Sequence, residues 1–218
     1  MRAMRGRFLV LEGVDGAGKS TQAARLVEWL EGQGRRPLRL REPGGTPLGE
    51  ALRELLLDPG RDRWDPRAEA LLFFAARAEL LSEVAMPALA EGRDVVCDRF
   101  TPSTLAYQGQ TEELAAFVLG LDELVVGPER QPALVIVLDL PVAESLARAA
   151  RAGAPDAFEN RGAAFQEAVR TGYRRYAARY PARTRLLPVA GLDPDAVAGK
   201  IRACVAEAFG EGFEERAR

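Results

Sequence analysis

The sequence predicts one α/β domain in which a parallel β-sheet is layered between helices, and three observations carry that expectation. Short apolar runs without in-and-out alternation recur along the chain, as in strands buried on both faces. Longer segments of helical periodicity separate them, so strands and helices alternate and right-handed crossovers follow. The length, 218 residues, suits a single domain with a substantial core.

Taken in order, the first run is Phe8–Leu11, and the stripe Ala23, Leu26, Val27 and Leu30 behind it marks an amphipathic helix. Pro37–Leu40 is the second run, residues 67–90 form a leucine-rich helical stretch, and Asp94–Cys97 is the third run. Pro102 suits the first turn of a short helix. Leu134–Leu138 is the fourth run and Arg185–Val189 a weaker fifth, which makes the sheet five-stranded. Between these two runs the stripe Phe165, Val169, Gly172, Tyr173 and Tyr176 marks a helix that Pro181 stops. Asp193 and Pro194 suit the N-cap and first turn of a last helix over 193–209. Residues 1–210 therefore read as the domain and 211–218 as a fraying tail. The small-residue segment 149–156 reads as a helix–helix connector or as a mobile lid; its composition favours the connector, and Arg148 and Arg151 at its entry keep the lid open as an alternative.

Composition narrows the chemistry. Thirty basic against 32 acidic side chains give a net charge of −2, which offers no reason for a nucleic-acid or membrane-surface partner. No stretch approaches the roughly 20 apolar residues of a membrane span, and Phe8–Leu11 is too short for a signal sequence. Cys97 and Cys204 sit in apolar patterns and read as buried thiols rather than a disulfide. A soluble, cytoplasmic protein is expected. Histidine is absent, which excludes Ser-His-Asp and Cys-His nucleophile pairs, an imidazole general base and His-ligated zinc. Lysine occurs only at Lys19 and Lys200, so the basic side chains are almost all arginine.

Gly13-Val14-Asp15-Gly16-Ala17-Gly18-Lys19-Ser20 matches the phosphate-binding pattern G-x-x-x-x-G-K-[ST] in full. It directly follows the strand Phe8–Leu11 and opens a helix, as the motif requires. Glycines let the backbone wrap a phosphate with its N–H groups inward, and the helix N-terminus adds positive potential. Lys19 would reach the β- and γ-phosphates, and the Ser20 hydroxyl would take a Mg²⁺ position. The plain alternative is a glycine-rich turn that binds nothing. The guanine-reading Asn-Lys-x-Asp element of Ras-type GTPases is absent, since the single asparagine, Asn160, precedes Arg161. The size and a second site suggest a nucleotide or metabolite kinase.

That second site begins at Asp98-Arg99-Phe100, at the C-terminal end of the third run, where ligands sit in open α/β sheets. Asp98 can hold Mg²⁺ or its waters, and Arg99 can grip a phosphate with two nitrogens; the plain alternative is a solvent-exposed ion pair. On a helix opened by Pro102, the hydroxyls of Ser103, Thr104 and Tyr107 share a face suited to a sugar or base edge. The turn Arg41-Glu42-Pro43-Gly44-Gly45-Thr46-Pro47 follows the second run and lies at the same sheet edge.

Together these residues resemble the thymidylate kinase (dTMP kinase) family. The resemblance rests on Leu11-Glu12-Gly13 through Thr21-Gln22, on Arg41 to Pro47, on Leu71-Leu72-Phe73-Phe74-Ala75-Ala76-Arg77, and on Asp98-Arg99 with Ser103-Thr104-Leu105-Ala106-Tyr107-Gln108-Gly109, in the family's order. It continues through Leu138-Asp139-Leu140-Pro141 to about residue 205. It implies a three-layer fold of the P-loop nucleoside-monophosphate-kinase type, with a five-stranded parallel sheet flanked by helices, and a homodimer. It also implies an ATP- and Mg²⁺-dependent transfer of phosphoryl to dTMP, giving dTDP. In that reading Gly13 to Thr21 bind ATP, Ser20 and Asp98 hold the metal, and Glu42, Pro43, Ser103 and Gln108 join the acceptor pocket. Phe73 would stack on thymine and Arg77 would bond its exocyclic oxygen, whereas periodicity alone favours Phe73 in the core with Arg77 snorkelling from it. Thr104 would meet the base edge, Tyr107 would crowd the ribose 2′ position, Asp15 would reach the acceptor's 3′-hydroxyl or a magnesium-bound water, and Arg99 would hold its 5′-phosphate. Gly16 in the loop implies the bacterial subtype, with catalytic arginines in a lid over 148–160. Arg148 and Arg151 are the candidates, and Glu159 aligns with an acid near the deoxyribose. The chain departs from the family where Ala157, rather than arginine, follows Asp156. The alternatives are a P-loop kinase for another nucleoside or monophosphate, and a non-catalytic module that senses ATP.

Overall fold

A computed structural model describes residues 6–60, 62–152, 157–158 and 161–210, with only the backbone described at 149–152. The tail 211–218, Glu159 and the Arg151 side chain lie outside the described residues, as does much of the expected lid.

Five strands form one sheet: β1 (Phe8–Gly13), β2 (Leu38–Arg41), β3 (Val95–Asp98), β4 (Leu134–Asp139) and β5 (Thr184–Pro188). All pairs are parallel, in the order β2-β3-β1-β4-β5. The central β1 and β4 are buried along their whole length, as runs without alternation demand. β2 and β5 correct that expectation. They are the edge strands and expose every second residue, Arg39 and Arg41 in β2 and Leu186 and Pro188 in β5, as the mixed sequences Leu38–Arg41 and Thr184–Pro188 allow.

The helices are α1 (Lys19–Gly32), α2 (Pro47–Leu57), α3 (Pro66–Leu80), α4 (Met86–Ala90), α5 (Thr101–Gln108), α6 (Glu112–Val125), α7 (Val142–Ala152), α8 (Ala163–Arg179) and α9 (Pro194–Phe209). α1 and α9 pack together against one face of the sheet, while α5 and α8 cover the other and complete three layers. The stretch read as one helix over 67–90 is α3 and α4 joined by a π-helical turn at Leu81–Ala85. Pro87 has no N–H to bond back and its ring crowds the preceding turn, which a wider turn relieves. Asp193 caps α9 as expected, its Oδ1 accepting from Ala196 N at 2.8 Å. α2 and α6 were not foreseen, although Thr46 before Pro47 and Thr111 before two glutamates each cap their helix, at 3.0 and 3.2 Å. α7 runs to Ala152, so the small-residue segment begins as helix. Gly172 has a packing reason: a Cβ there would stand 2.8 Å from Ala106 Cα, where α8 crosses α5.

At the N-terminal edge of the sheet, Asp94 is fully buried and accepts from Arg7 N at 2.8 Å and from both Nε and Nη2 of Arg35, the latter at 2.6 Å. Removing one member of such a pair leaves its partner's charge uncompensated. Asp94→Ala should therefore cost about 3 kcal/mol, read as a fall in Tm of about 10 °C by calorimetry; a shift within about 1 °C would mean that the clamp adds no stability.

Candidate active site

The order β2-β3-β1-β4-β5 sends the chain to opposite sides from β1, so a crevice opens beyond the C-terminal ends of β1 and β3. A cavity of about 410 Å³ occupies it. Its lining runs from Asp15, Gly16, Gly18, Lys19, Ser20 and Thr21 at one end to Glu42, Pro43, Phe73, Arg77, Thr104 and Gln108 at the other, with Asp98, Arg99, Ser103 and Tyr107 between. One cavity thus unites the phosphate loop with nearly the whole second-site set.

The loop is shaped by its own residues. Gly13 has φ 137°, and a Cβ on it would stand 2.5 Å from the Leu138 carbonyl of neighbouring β4, so no other residue fits. Val14 and Ala17 are buried and anchor the loop, with Ala17 N donating to Val14 O at 3.3 Å. Ser145 on α7 donates its hydroxyl to the Asp15 carbonyl at 2.6 Å, tying that helix to the loop. Lys19 folds back over the loop and donates to Val14 O at 3.0 Å. Burial, and then the Arg99 charge, pull its ammonium below the ordinary value against Asp15 and Asp98.

Arg99 is the hub. It is the one described non-glycine residue with positive φ, 72°. Its guanidinium donates to Gly13 O at 3.3 Å, Ser103 Oγ at 3.1 Å and Tyr173 OH at 3.0 Å, and to Asp15 by a shorter bond. Tyr107 OH in turn donates to Asp15 Oδ2 at 2.8 Å. Burial pushes Asp15 up, but Arg99 and Lys19 outweigh it and hold this carboxylate below its usual range.

At the far end Arg77 is 1% exposed, so it does not snorkel. It donates to Glu42 Oε2 from Nε at 2.9 Å and from Nη2 at 2.6 Å, and to Thr104 Oγ1 at 3.1 Å. Its guanidinium lies between the rings of Phe74 and Phe100, 4.4 and 4.9 Å from their centroids. Burial raises Glu42 to about 7, against the pull of Arg77. Arg77 Nη1 and Glu42 Oε1 are buried with no protein partner. Phe73, half-buried, faces the cavity, while its neighbour Phe74 is the core residue.

Glu12 carried no role in the sequence, yet it joins the two ends. Fully buried, it accepts from Phe100 N at 2.8 Å, Ser103 N at 3.2 Å and Ser103 Oγ at 2.6 Å, which fixes the start of α5 against the end of β1. Arg53, Leu57 and Phe158 also line the cavity. Arg53 and Leu57 lie on the unforeseen α2, and Phe158 was legible only as the neighbour of Glu159.

Ser20 Oγ donates to Asp98 Oδ2 at 2.5 Å, which sets a hydroxyl beside a carboxylate at the loop. Such an oxygen pair suits Mg²⁺, a cation that takes few protein ligands and keeps water and phosphate oxygens. Among the described residues no group of three or more His, Cys, Asp or Glu could cage a metal. Arg148 is not in the cavity lining; it pairs with Glu144 on its own helix at 2.5 Å. No helix among the described residues is long and apolar enough to cross a membrane.

The arrangement can bind a nucleotide triphosphate at the loop and a second, base-bearing phosphate across Arg99. The thymidylate kinase family model matches residues 11–193. A thymidylate kinase of Pseudomonas fluorescens is 49% identical over 187 residues, 86% of this chain and 89% of that protein. One of Jannaschia is 44% identical over 207 residues, covering 94% and 98%. The crystal structure of thymidylate kinase from Ehrlichia chaffeensis superposes with a TM-score of 0.75 at 28% identity, covering 92% of this chain and 99% of that one. By sequence and by architecture, the chain belongs to the thymidylate kinase family.

Proposed function

We propose that this protein transfers the γ-phosphoryl of ATP to the 5′-phosphate of dTMP, giving dTDP and ADP. One observation carries the reading: a single cavity has a phosphate loop at one end and a buried arginine with an unpartnered nitrogen, Arg77, at the other. Gly13 to Thr21 would cradle the donor phosphates, and Lys19 would leave the Val14 carbonyl for their oxygens. Ser20 and Asp98 would hold Mg²⁺, which neutralises phosphate charge when bound. Arg99 would hold the acceptor 5′-phosphate, with Asp15 near its sugar and Tyr107 against the 2′ position. Thymine would lie by Phe73, with a carbonyl on Arg77 and Thr104. Arg148 and Arg151 would add charge from the lid, and Glu159 would approach the deoxyribose.

No general base is required. A phosphate monoester carries about −1.5 to −2 charge near pH 7, so its oxygen is already a nucleophile. Positioning and positive charge are what remain to be supplied, and Lys19, Arg99 and the lid arginines are cations suited to that work. A homodimer through α3 and α6 fits the exposed Leu71 and Leu124 on these two packed helices. A cytoplasmic setting fits the two free cysteines.

Offered γ-labelled ATP and a panel of nucleosides and monophosphates, the protein should label dTMP above all others; preferred labelling of a different acceptor, or of none, would overturn the assignment. Lys19→Ala and Arg99→Ala should each lower turnover at saturating dTMP by about 100-fold or more, and unchanged turnover would remove them from the mechanism. Arg77→Ala should raise the dTMP KM by about tenfold and leave the ATP KM nearly unchanged, whereas equal effects on both would mark a folding defect. Light scattering after size exclusion should return twice the chain mass, and a monomer mass would end the dimer proposal.

A further inference from the structure

Glu69 lies in the first turn of α3, where the helix dipole favours an acid that ordinarily faces water. Here it is fully buried. One carboxylate oxygen accepts from Gln108 Nε2 at 2.9 Å and the other from Arg161. The Arg161 guanidinium lies over two rings, 4.5 Å from the Phe158 centroid and 5.0 Å from that of Phe165. Both rings stand edge-on to Tyr107, at 5.8 and 6.0 Å, and Phe158 also meets Phe73 at 5.9 Å. Phe158 lines the cavity and Arg161 does not. Ala157 and Phe158 lie in a turn. Its backbone is held by Arg161 N on Phe158 O at 3.2 Å and by Ala157 N on Leu57 O at 3.4 Å.

We propose that Arg161 is a positioning residue for the acceptor nucleotide: its buried pair with Glu69 pins the turn that enters α8, so that Phe158 closes the aromatic wall begun by Phe73 and Tyr107. The inference rests on the acceptor reading given above and names a residue that this reading leaves unused. A turn makes few bonds of its own, and a ring displaced by an ångström no longer matches a planar base. Arginine suits the task because one planar group can bond a carboxylate at its edge and stack two aromatic rings on its faces. Committed to Glu69, Arg161 is not free to replace the lid arginine that Ala157 lacks.

Arg161→Met keeps length and volume but leaves the buried Glu69 carboxylate without this cation, so this variant should lose thermal stability. Glu69→Gln combined with Arg161→Met removes that charge and should recover much of the loss. In both variants the dTMP KM should rise about tenfold while the ATP KM stays within about twofold. Hydrogen exchange in a peptide spanning residues 157–166 should also rise in both. If the double variant regained a wild-type dTMP KM along with its stability, the pair would be structural only and the proposal would fall. Unchanged exchange in 157–166 would overturn it as well, whatever the substrate. Failure of the wild-type protein to phosphorylate dTMP would instead count against the functional reading, and the exchange measurement would still judge the pin.

Discussion

The structure turns on Arg99 and the backbone it occupies. A positive φ at a residue with a side chain costs roughly 1–3 kcal/mol and persists only where surrounding contacts over-determine it. Here the contacts come from three directions: the phosphate loop through Gly13 and Asp15, α5 through Ser103, and α8 through Tyr173. The turn at Arg99 sends the chain from β3 into α5 instead of onward along the sheet, which brings Ser103, Thr104 and Tyr107 over the crevice. Without Arg99 in that conformation, the loop and the second site would be two separate features of one sheet edge.

Glu12 reinforces the same join from below. A buried carboxylate is stable only when hydrogen-bonded, and Glu12 takes all its bonds from the start of α5. Burial still pushes it above the usual carboxylate range, partly opposed by Arg99 and by the bonds from Ser103 and Phe100. The cluster therefore holds its charges close together in a water-poor setting before any ligand arrives. In the proposed reaction, charge that develops there would meet dipoles and cations already oriented, with little reorganisation left for the reaction to drive.

The local features were legible in the sequence because their causes are local. The phosphate loop needs glycines at fixed spacing, the central strands need unbroken apolar runs, and α9 needs Asp193 before Pro194. The limits of that reading are equally physical. Spacing set Phe73 and Arg77 on one face of α3, but periodicity favoured a snorkelling arginine, because the partner that allows burial, Glu42, stands 35 residues away. The edge positions of β2 and β5 depend on strand order, which no single run encodes. Glu12 was visible only as a letter in the loop motif and Phe158 only as the neighbour of Glu159, because their contacts run across the sheet and across the cavity.

The far end of the cavity shows why a buried charge can serve selection. Arg77 is held by Glu42 and Thr104 and stacked between Phe74 and Phe100, so it has little freedom to turn. One of its nitrogens is left buried without a partner, and an unmet donor in such a place costs free energy that a ligand acceptor can return. In the proposed function a base carbonyl would be such an acceptor. An amino group at the same position would set donor against donor and return nothing. In the function proposed above, an arginine held this firmly would turn that difference into discrimination between bases rather than mere loss of affinity for both.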